Sequence, residues 1–145
     1  MIGFKKTALF LISIVALYSC SHSSNKKVSA ADLGKSVAAG QLIYTQNCAS
    51  CHQVDGGGVQ HMNPPLNKTT YVLGDKTELI KIVLNGFNKN VDINGGTYSN
   101  VMASHDFLKD QEIADVLTYV RNSFGNKADA ITVDEVKDVR AANKK

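Results

Sequence analysis

The chain has 145 residues, with 16 basic and 13 acidic side chains, 43% hydrophobic residues and no tryptophan. This length predicts one small domain rather than several. The charge is nearly balanced, and residues 36–125 contain no basic stripe with interleaved aromatic side chains, which argues against nucleic-acid binding.

Residues 1–19 are predicted to be a signal peptide. Lys5 and Lys6 form a positive start, and the apolar run from Ala8 to Tyr18 has 11 residues. A run of this length fits the apolar part of a signal peptide and is shorter than the roughly 20 residues of a membrane-spanning helix. We therefore expect export from the cytoplasm, with an uncleaved membrane anchor as the alternative.

The end of this run, Leu17-Tyr18-Ser19-Cys20, resembles a bacterial lipobox, although Tyr18 departs from the small residue usual at that place. Lipidation would account for Cys20, which is otherwise an odd thiol in an exported protein. We expect Cys20 to become a lipidated N-terminus that holds the protein at the periplasmic face of a bacterial membrane. The alternative is cleavage nearby that discards Cys20. Residues 20–35 are predicted to be a flexible tether.

The first predicted helix runs from about Ser36 to Asn47, and directly after it residues 48–52 read Cys-Ala-Ser-Cys-His. This is the attachment pattern of c-type haem. In this pattern the thiols of Cys48 and Cys51 add to the two vinyl groups of one porphyrin, and His52 coordinates the iron. A Cys-x-x-Cys pair alone would also suit zinc or disulfide exchange, but the histidine directly after it, a methionine further along the chain and the signal peptide before it favour haem. We expect one haem c, with its iron, per chain.

Two further helices are predicted after this motif. One runs from about Lys76 to Asn85, with Asp75 and Glu78 as a reciprocal capping pair and Gly86 as its stop. The other runs from about Asp110 to Phe124. Both show apolar residues at helical spacing, namely Leu79, Ile80, Val83 and Leu84 in the first and Ile113, Val116, Leu117, Val120 and Phe124 in the second.

The C-terminal residues 126–145 are predicted to be a charged tail outside a domain that spans residues 36–125. Val133, Val136 and Val139 recur every three residues in this tail, which is compatible with a weak amphipathic helix. No strand pattern is visible. The fold class is therefore predicted to be all-α, with three or more helices wrapped around the covalently bound haem.

Over residues 36–125 the chain resembles the bacterial class I, mono-haem cytochromes c. In that family a glycine and an aromatic residue precede the first haem cysteine by eight and four residues, where this chain has Gly40 and Tyr44. In the family these residues pack against the last helix, at positions matched here by Val116 and Tyr119. The resemblance implies the small cytochrome c fold and an electron-carrying function.

The family also has a Pro-x-Leu segment whose proline carbonyl accepts a hydrogen bond from the ligand histidine. The matching residues are Pro64-Pro65-Leu66, so the resemblance assigns this carbonyl to Pro64, with Pro65 as the second candidate. Such a bond would fix the tautomer and the orientation of His52. The alternative is a polyproline turn without that role.

The second axial ligand is predicted to be Met102, which follows His52 by 50 residues in an irregular segment between the second and third helices. The family places its methionine there, usually before a proline, and Ala103 in that place predicts a less rigid segment. Ligation by methionine and histidine raises the reduction potential of the iron. The alternatives are His105, His61, Met62 and an open site.

Tyr98 and, more weakly, Tyr71 are candidates for hydrogen bonds to the haem propionates. The alternative for both is a half-buried tyrosine of the core.

The expected function is one-electron transfer, because two protein ligands leave no position for a substrate, and we expect no enzymatic activity. The expected partners are redox proteins, such as a dehydrogenase, an oxidase or a reductase, which dock through a small interface. The membrane is expected to be a partner through the lipid only. The alternatives are an open-site haem sensor or small haem enzyme, a thiol redox module and a structural lipoprotein.

Overall fold

The computed structural model describes residues 29–143. Within this range the chain forms six helices and one two-stranded sheet. In chain order they are α1 (Ala30–Asn47), α2 (Ala49–His52), α3 (Thr70–Leu73), α4 (Lys76–Asn85), β1 (Val91–Ile93), β2 (Gly96–Tyr98), α5 (Asp110–Asn122) and α6 (Val133–Ala142). None of the helices in residues 29–143 is long and apolar enough to cross a membrane. The predicted signal peptide and Cys20 lie outside the described residues.

Helix α1 begins at Ala30 rather than at the predicted Ser36. The side-chain oxygen of Ser29 accepts a hydrogen bond from the backbone N–H of Asp32 at 3.2 Å, which satisfies one of the free donors at the helix start. Most of residues 30–35 are exposed, so the apolar pattern marks where packing begins and not where the helix begins. The last six residues of the predicted tether are therefore helical.

Helices α1 and α5 cross in direct contact at Gly40. A Cβ at Gly40 would collide with the backbone carbonyl of Asp115 and would lie 2.7 Å from the Cβ of Tyr119. Next to the crossing, the rings of Tyr44, Tyr119 and Phe124 pack with centroids 5.2–5.5 Å apart. This arrangement places the end of α1, and with it the haem-attachment motif, at a fixed position relative to α5.

Helix α4 has the predicted bounds and the predicted cap. Asp75 accepts a hydrogen bond from the backbone N–H of Glu78 at 2.8 Å. The predicted reciprocal bond from the Glu78 side chain does not form, because that carboxylate pairs with Lys81 at 2.8 Å. Helix α5 ends at Asn122 rather than at the predicted Phe124, because Ser123 is extended, with φ −121° and ψ 177°.

The sheet was not predicted, and the expectation that the chain has no strands is wrong. Strands β1 and β2 pair in antiparallel fashion, with Val91 opposite Tyr98. Asn94 and Gly95 join them with φ values of 51° and 82°, as a tight hairpin turn requires. Three-residue strands are too short to show an alternating pattern, so the Asn94-Gly95 pair is the sequence signal that could have indicated the hairpin. The predicted all-α class is otherwise confirmed.

Helix α6 packs on α4 and α5 and belongs to the core. Val136 is fully buried and Val139 is 8% exposed. Thr132 and Glu135 form a capping box at the start of the helix, and Lys76 of α4 reaches Glu135 at 2.9 Å. The predicted tail is thus a packed helix, and the predicted domain boundary at residue 125 does not coincide with the edge of the core.

Candidate functional site

A cavity of about 340 Å³ lies between α2, the Pro64–Leu66 segment, α4, the hairpin, the segment around Met102 and α5. Its lining includes Cys48, Cys51, His52 and Met102, the four side chains predicted to hold the haem and its iron. The other walls are mainly apolar, with Leu79, Val83, Phe87, Val116, Leu117 and Val120 among them. Apolar walls around two thiols, an imidazole and a thioether suit a large hydrophobic cofactor.

The two cysteines of the motif lie on the single turn that follows α1. The backbone N–H groups of Cys51 and His52 both donate to the carbonyl of Cys48, at 3.1 and 2.9 Å. Burial, followed by the neighbouring Cys51, raises the pKa of the Cys48 thiol to about 11. A thiol that stays protonated near neutral pH is a poor redox nucleophile, and a helix rather than a strand precedes the motif. Both observations argue against a thiol redox module.

His52 is half-buried and makes the contact expected of an oriented ligand. Its Nδ1 lies 3.0 Å from the carbonyl oxygen of Pro64. A carbonyl can only accept, so Nδ1 carries the proton and the lone pair is on Nε2. Burial lowers the pKa of His52, although the bond to Pro64 opposes this shift. The ring is therefore neutral near pH 7, which metal binding requires. Pro65 lines the cavity but does not make this contact.

Met102 lies on the segment that closes the cavity on another side, and several bonds tie this segment to the end of α4. Its backbone N–H and C=O pair with those of Phe87, both at 2.9 Å. The Ser104 hydroxyl donates to the carbonyl of Leu84 at 2.8 Å, and the N–H of His105 donates to the carbonyl of Val83 at 2.8 Å. Hydrogen bonds thus hold the chain on either side of Ala103, which stands where the family usually has a proline.

Gly86 makes this attachment possible. It ends α4 with φ 75° and ψ −175°, a combination that other residues rarely adopt. An added Cβ would collide with the Met102 carbonyl and would lie 2.9 Å from the backbone nitrogen of Ser104. The sequence predicted Gly86 only as a helix stop, and its contact with the methionine segment is visible only in the fold.

The alternative axial ligands differ in their positions. His61 and Met62 are exposed and do not line the cavity. His105 lines it, but its Nδ1 faces the Ala103 carbonyl at 3.0 Å and its Nε2 faces the Asn47 carbonyl at 3.4 Å. Each ring nitrogen thus faces a backbone oxygen, and a neutral imidazole can donate to only one of the two.

Polar side chains are also among the residues that line the cavity. Tyr98 is 8% exposed and Tyr71 is 38% exposed, and both line the cavity. Lys89 and Asn63 also line it, and sequence reasoning missed both. A cation and hydroxyl groups in an apolar wall are suited to bind carboxylates.

Comparisons with known proteins agree with this site. The sequence profile of the family described as Cytochrome c matches residues 37–124. Cytochrome c-552 of Thermus thermophilus is 36% identical over 113 residues, which cover 72% of this chain and 86% of that protein. The cytochrome c subunit of the quinone-dependent alcohol dehydrogenase of Gluconobacter oxydans is 33% identical over 104 residues, or 70% of this chain and 22% of that subunit. The CcoP subunit of the cbb3-type cytochrome c oxidase of Azospirillum is 36% identical over 110 residues, or 68% of this chain and 32% of the subunit. The chain therefore belongs to the cytochrome c family, which binds covalently attached haem c with its iron and carries electrons through it.

Proposed function

We propose that this chain is a one-electron carrier outside the cytoplasm, with His52 and Met102 as the two axial ligands of its haem iron. The observation that carries the proposal is that one cavity is lined by both motif thiols, by the His52 imidazole and by the Met102 side chain. These groups come from chain segments 50 residues apart.

The residues present fit haem c. Cys48 and Cys51 would hold it through thioether bonds, with His52 Nε2 and the Met102 sulfur as iron ligands. Tyr98 and Lys89 would bind the propionates, and the apolar walls would exclude water from the iron. When bound, the haem supplies a centre that gains and loses one electron, and histidine–methionine ligation raises its potential.

Each supporting side chain has a distinct task in this proposal. The Pro64 carbonyl accepts a hydrogen bond from His52 Nδ1 and so directs Nε2 toward the cavity. The bonds of Phe87 and Ser104 hold the methionine segment in place. Because the protein groups are fixed before electron transfer, little reorganisation is needed when the charge of the iron changes.

The experiment compares Met102→Ala with Met62→Ala, which removes an exposed methionine outside the cavity. In the holoprotein, Met102→Ala should lower the reduction potential and let the ferrous iron bind carbon monoxide readily. The wild-type protein and Met62→Ala should bind it poorly. An unchanged ferric spectrum and potential in Met102→Ala would remove Met102 from the proposal. Ready binding of carbon monoxide by the wild-type protein would instead favour an open-site sensor or enzyme.

We also propose that Cys20 carries the lipid that holds this carrier at the periplasmic face of a membrane. Two of the relatives are named as cytochrome subunits of a dehydrogenase and of an oxidase, so membrane-bound enzymes of these two classes are the proposed partners. Cys20→Ala should move the protein from the membrane fraction to the soluble periplasmic fraction. Mass spectrometry of the wild-type N-terminus should find acylated Cys20, and an unmodified N-terminus would refute the anchor.

A further inference from the structure

We propose that Asn126 is a positioning residue for His52, and that it acts by fixing the chain segment that carries the Pro64 carbonyl. The inference rests on the proposed role of His52 as an iron ligand. Asn126 lies just after α5, beyond residues 37–124 that match the family profile.

The side-chain amide of Asn126 is buried and fully bonded. It is 7% exposed. Its Nδ2 donates to the carbonyls of Leu66 at 3.0 Å and of Val120 at 2.8 Å, and its Oδ1 accepts from the N–H of Lys68 at 2.7 Å. All three of its hydrogen-bonding groups have partners, so the amide cannot turn without leaving a buried polar group unpaired. It therefore ties the 66–68 segment rigidly to α5.

The segment is fixed on both sides of Leu66. The N–H of Leu66 donates to the Gly56 carbonyl at 2.8 Å, while its carbonyl accepts from Asn126. Lys68 has a φ of 52°, a left-handed conformation that is unfavourable for lysine, and the bond from its N–H to Asn126 supports it. The backbone at residues 66–68 thus has little freedom.

This constraint is transmitted to Pro64 because few torsions lie in between. The peptide plane that holds the Pro64 oxygen and the plane that holds the Leu66 nitrogen are separated by the φ and ψ angles of Pro65. The pyrrolidine ring fixes φ, so only ψ of Pro65 can rotate freely. The Leu66 carbonyl that Asn126 holds lies one peptide plane further on, across φ and ψ of Leu66, and the bond from the Leu66 N–H to Gly56 limits these two angles. Holding both backbone groups of Leu66 therefore restricts the oxygen that accepts the hydrogen bond from His52 Nδ1.

Loss of the Asn126 amide should loosen this oxygen and weaken its bond to His52. A weaker bond leaves the imidazole a poorer electron donor to the iron. The potential should then rise, which is the opposite of the effect of losing Met102. The Nδ1 proton should also exchange faster with solvent, because its acceptor is no longer held in place.

The test compares Asn126→Ala with Asn122→Ala in the holoprotein. Asn122 lies at the same helix end and donates to the Thr118 carbonyl at 3.0 Å, without a bond to residues 66–68. In ferrous protein followed by NMR, exchange of the His52 ring N–H should be about tenfold faster in Asn126→Ala than in wild type, as expected for losing a buried hydrogen bond. The potential should rise in Asn126→Ala, and neither quantity should change in Asn122→Ala.

If Asn126→Ala does not fold, Asn126→Asp keeps the shape and the acceptor for Lys68 but, when ionised, loses both donated bonds. The readout in this variant is the exchange of the His52 ring N–H, which should again be faster, because the added negative charge lowers the potential by itself. The inference is overturned if exchange in the Asn126 variants and the potential of Asn126→Ala match those in Asn122→Ala, even where stability falls. If wild-type protein shows no ring N–H of an iron-bound histidine, the proposed role of His52 fails and the inference fails with it.

Discussion

Replacing Gly86 with alanine should separate the methionine segment from α4. The backbone of Gly86, at φ 75° and ψ −175°, costs a non-glycine residue about 1–3 kcal/mol. The added Cβ would collide with the Met102 carbonyl and lie 3.0 Å from the carbonyl carbon of Ala103, and forcing such contacts apart costs about 1–3 kcal/mol more. The expected loss of unfolding free energy is therefore about 2–6 kcal/mol.

Gly95→Ala is the matched control for this change. Gly95 also has a positive φ, of 82°, but an added Cβ would meet no atom within 4 Å. This variant should lose only about 1–2 kcal/mol, the cost of the left-handed conformation. The difference between the two variants therefore reports the close approach of Gly86 to the methionine segment.

The assay has two parts, both on holoprotein. Urea unfolding followed by circular dichroism gives the stability of each variant. The ferric absorption spectrum and the reduction potential report the proposed bond between the iron and Met102, which should weaken in Gly86→Ala and stay intact in Gly95→Ala. Equal stability losses in the two variants, with an unchanged spectrum in Gly86→Ala, would refute the reasoning.

Three further predictions follow from packing and charge. Gly40→Ala should cost about 1–3 kcal/mol or more in urea unfolding, because its Cβ has no space between α1 and α5. Gly34→Ala in the same helix, with nothing within 4 Å, should stabilise by up to about 1 kcal/mol, and similar effects of the two would contradict the crossing geometry. Burial alone would raise the pKa of Glu135, but hydrogen bonds from Thr132 and Lys76 outweigh it and hold that pKa below its ordinary value of 4.5. The stability that Glu135 adds is thus present above pH 4.5 and lost as pH falls below it. In acid titrations followed by circular dichroism, Glu135→Gln should be less stable than wild type at neutral pH and should lose less stability on acidification. Parallel stability curves for the two proteins would count against the pairing of Glu135 with Lys76. The haem-free chain should show no cooperative melt by circular dichroism, because the cofactor fills the space between the helices, and a sharp melt would show that the protein core suffices.

The features that could be predicted from the sequence are those encoded locally. The motif at residues 48–52 indicates haem attachment from its residue types and spacing alone. Asp75 and Gly86 mark the start and the end of α4 through capping rules that act over one turn. The apolar repeat of α5 identified part of its buried surface, which in the structure includes every residue from Ile113 to Arg121. Each of these signals is contained within about 15 residues, so no knowledge of the fold is needed to interpret it.

The features that escaped prediction depend on contacts between distant segments. Asn126 bonds to Lys68 and Leu66, which precede it by 58 and 60 residues, and nothing near Asn126 in the sequence points to them. Lys89 lines the cavity only because the chain turns into the hairpin after α4. The attachment of the methionine segment escaped prediction for the same reason, since it depends on bonds from Ser104 and His105 to α4.

The buried Arg121 has a practical consequence for anyone who shortens this protein. The residue is 4% exposed, and its guanidinium donates to the carbonyls of Val72 at 2.6 Å and of Asp129 at 2.8 Å. A fragment cut at residue 125 would remove Asp129 and the packed helix α6, leaving a buried charged group without one of its hydrogen-bond acceptors. Expression plasmids should therefore carry the reading frame at least through Ala142, even though sequence similarity to the family stops earlier.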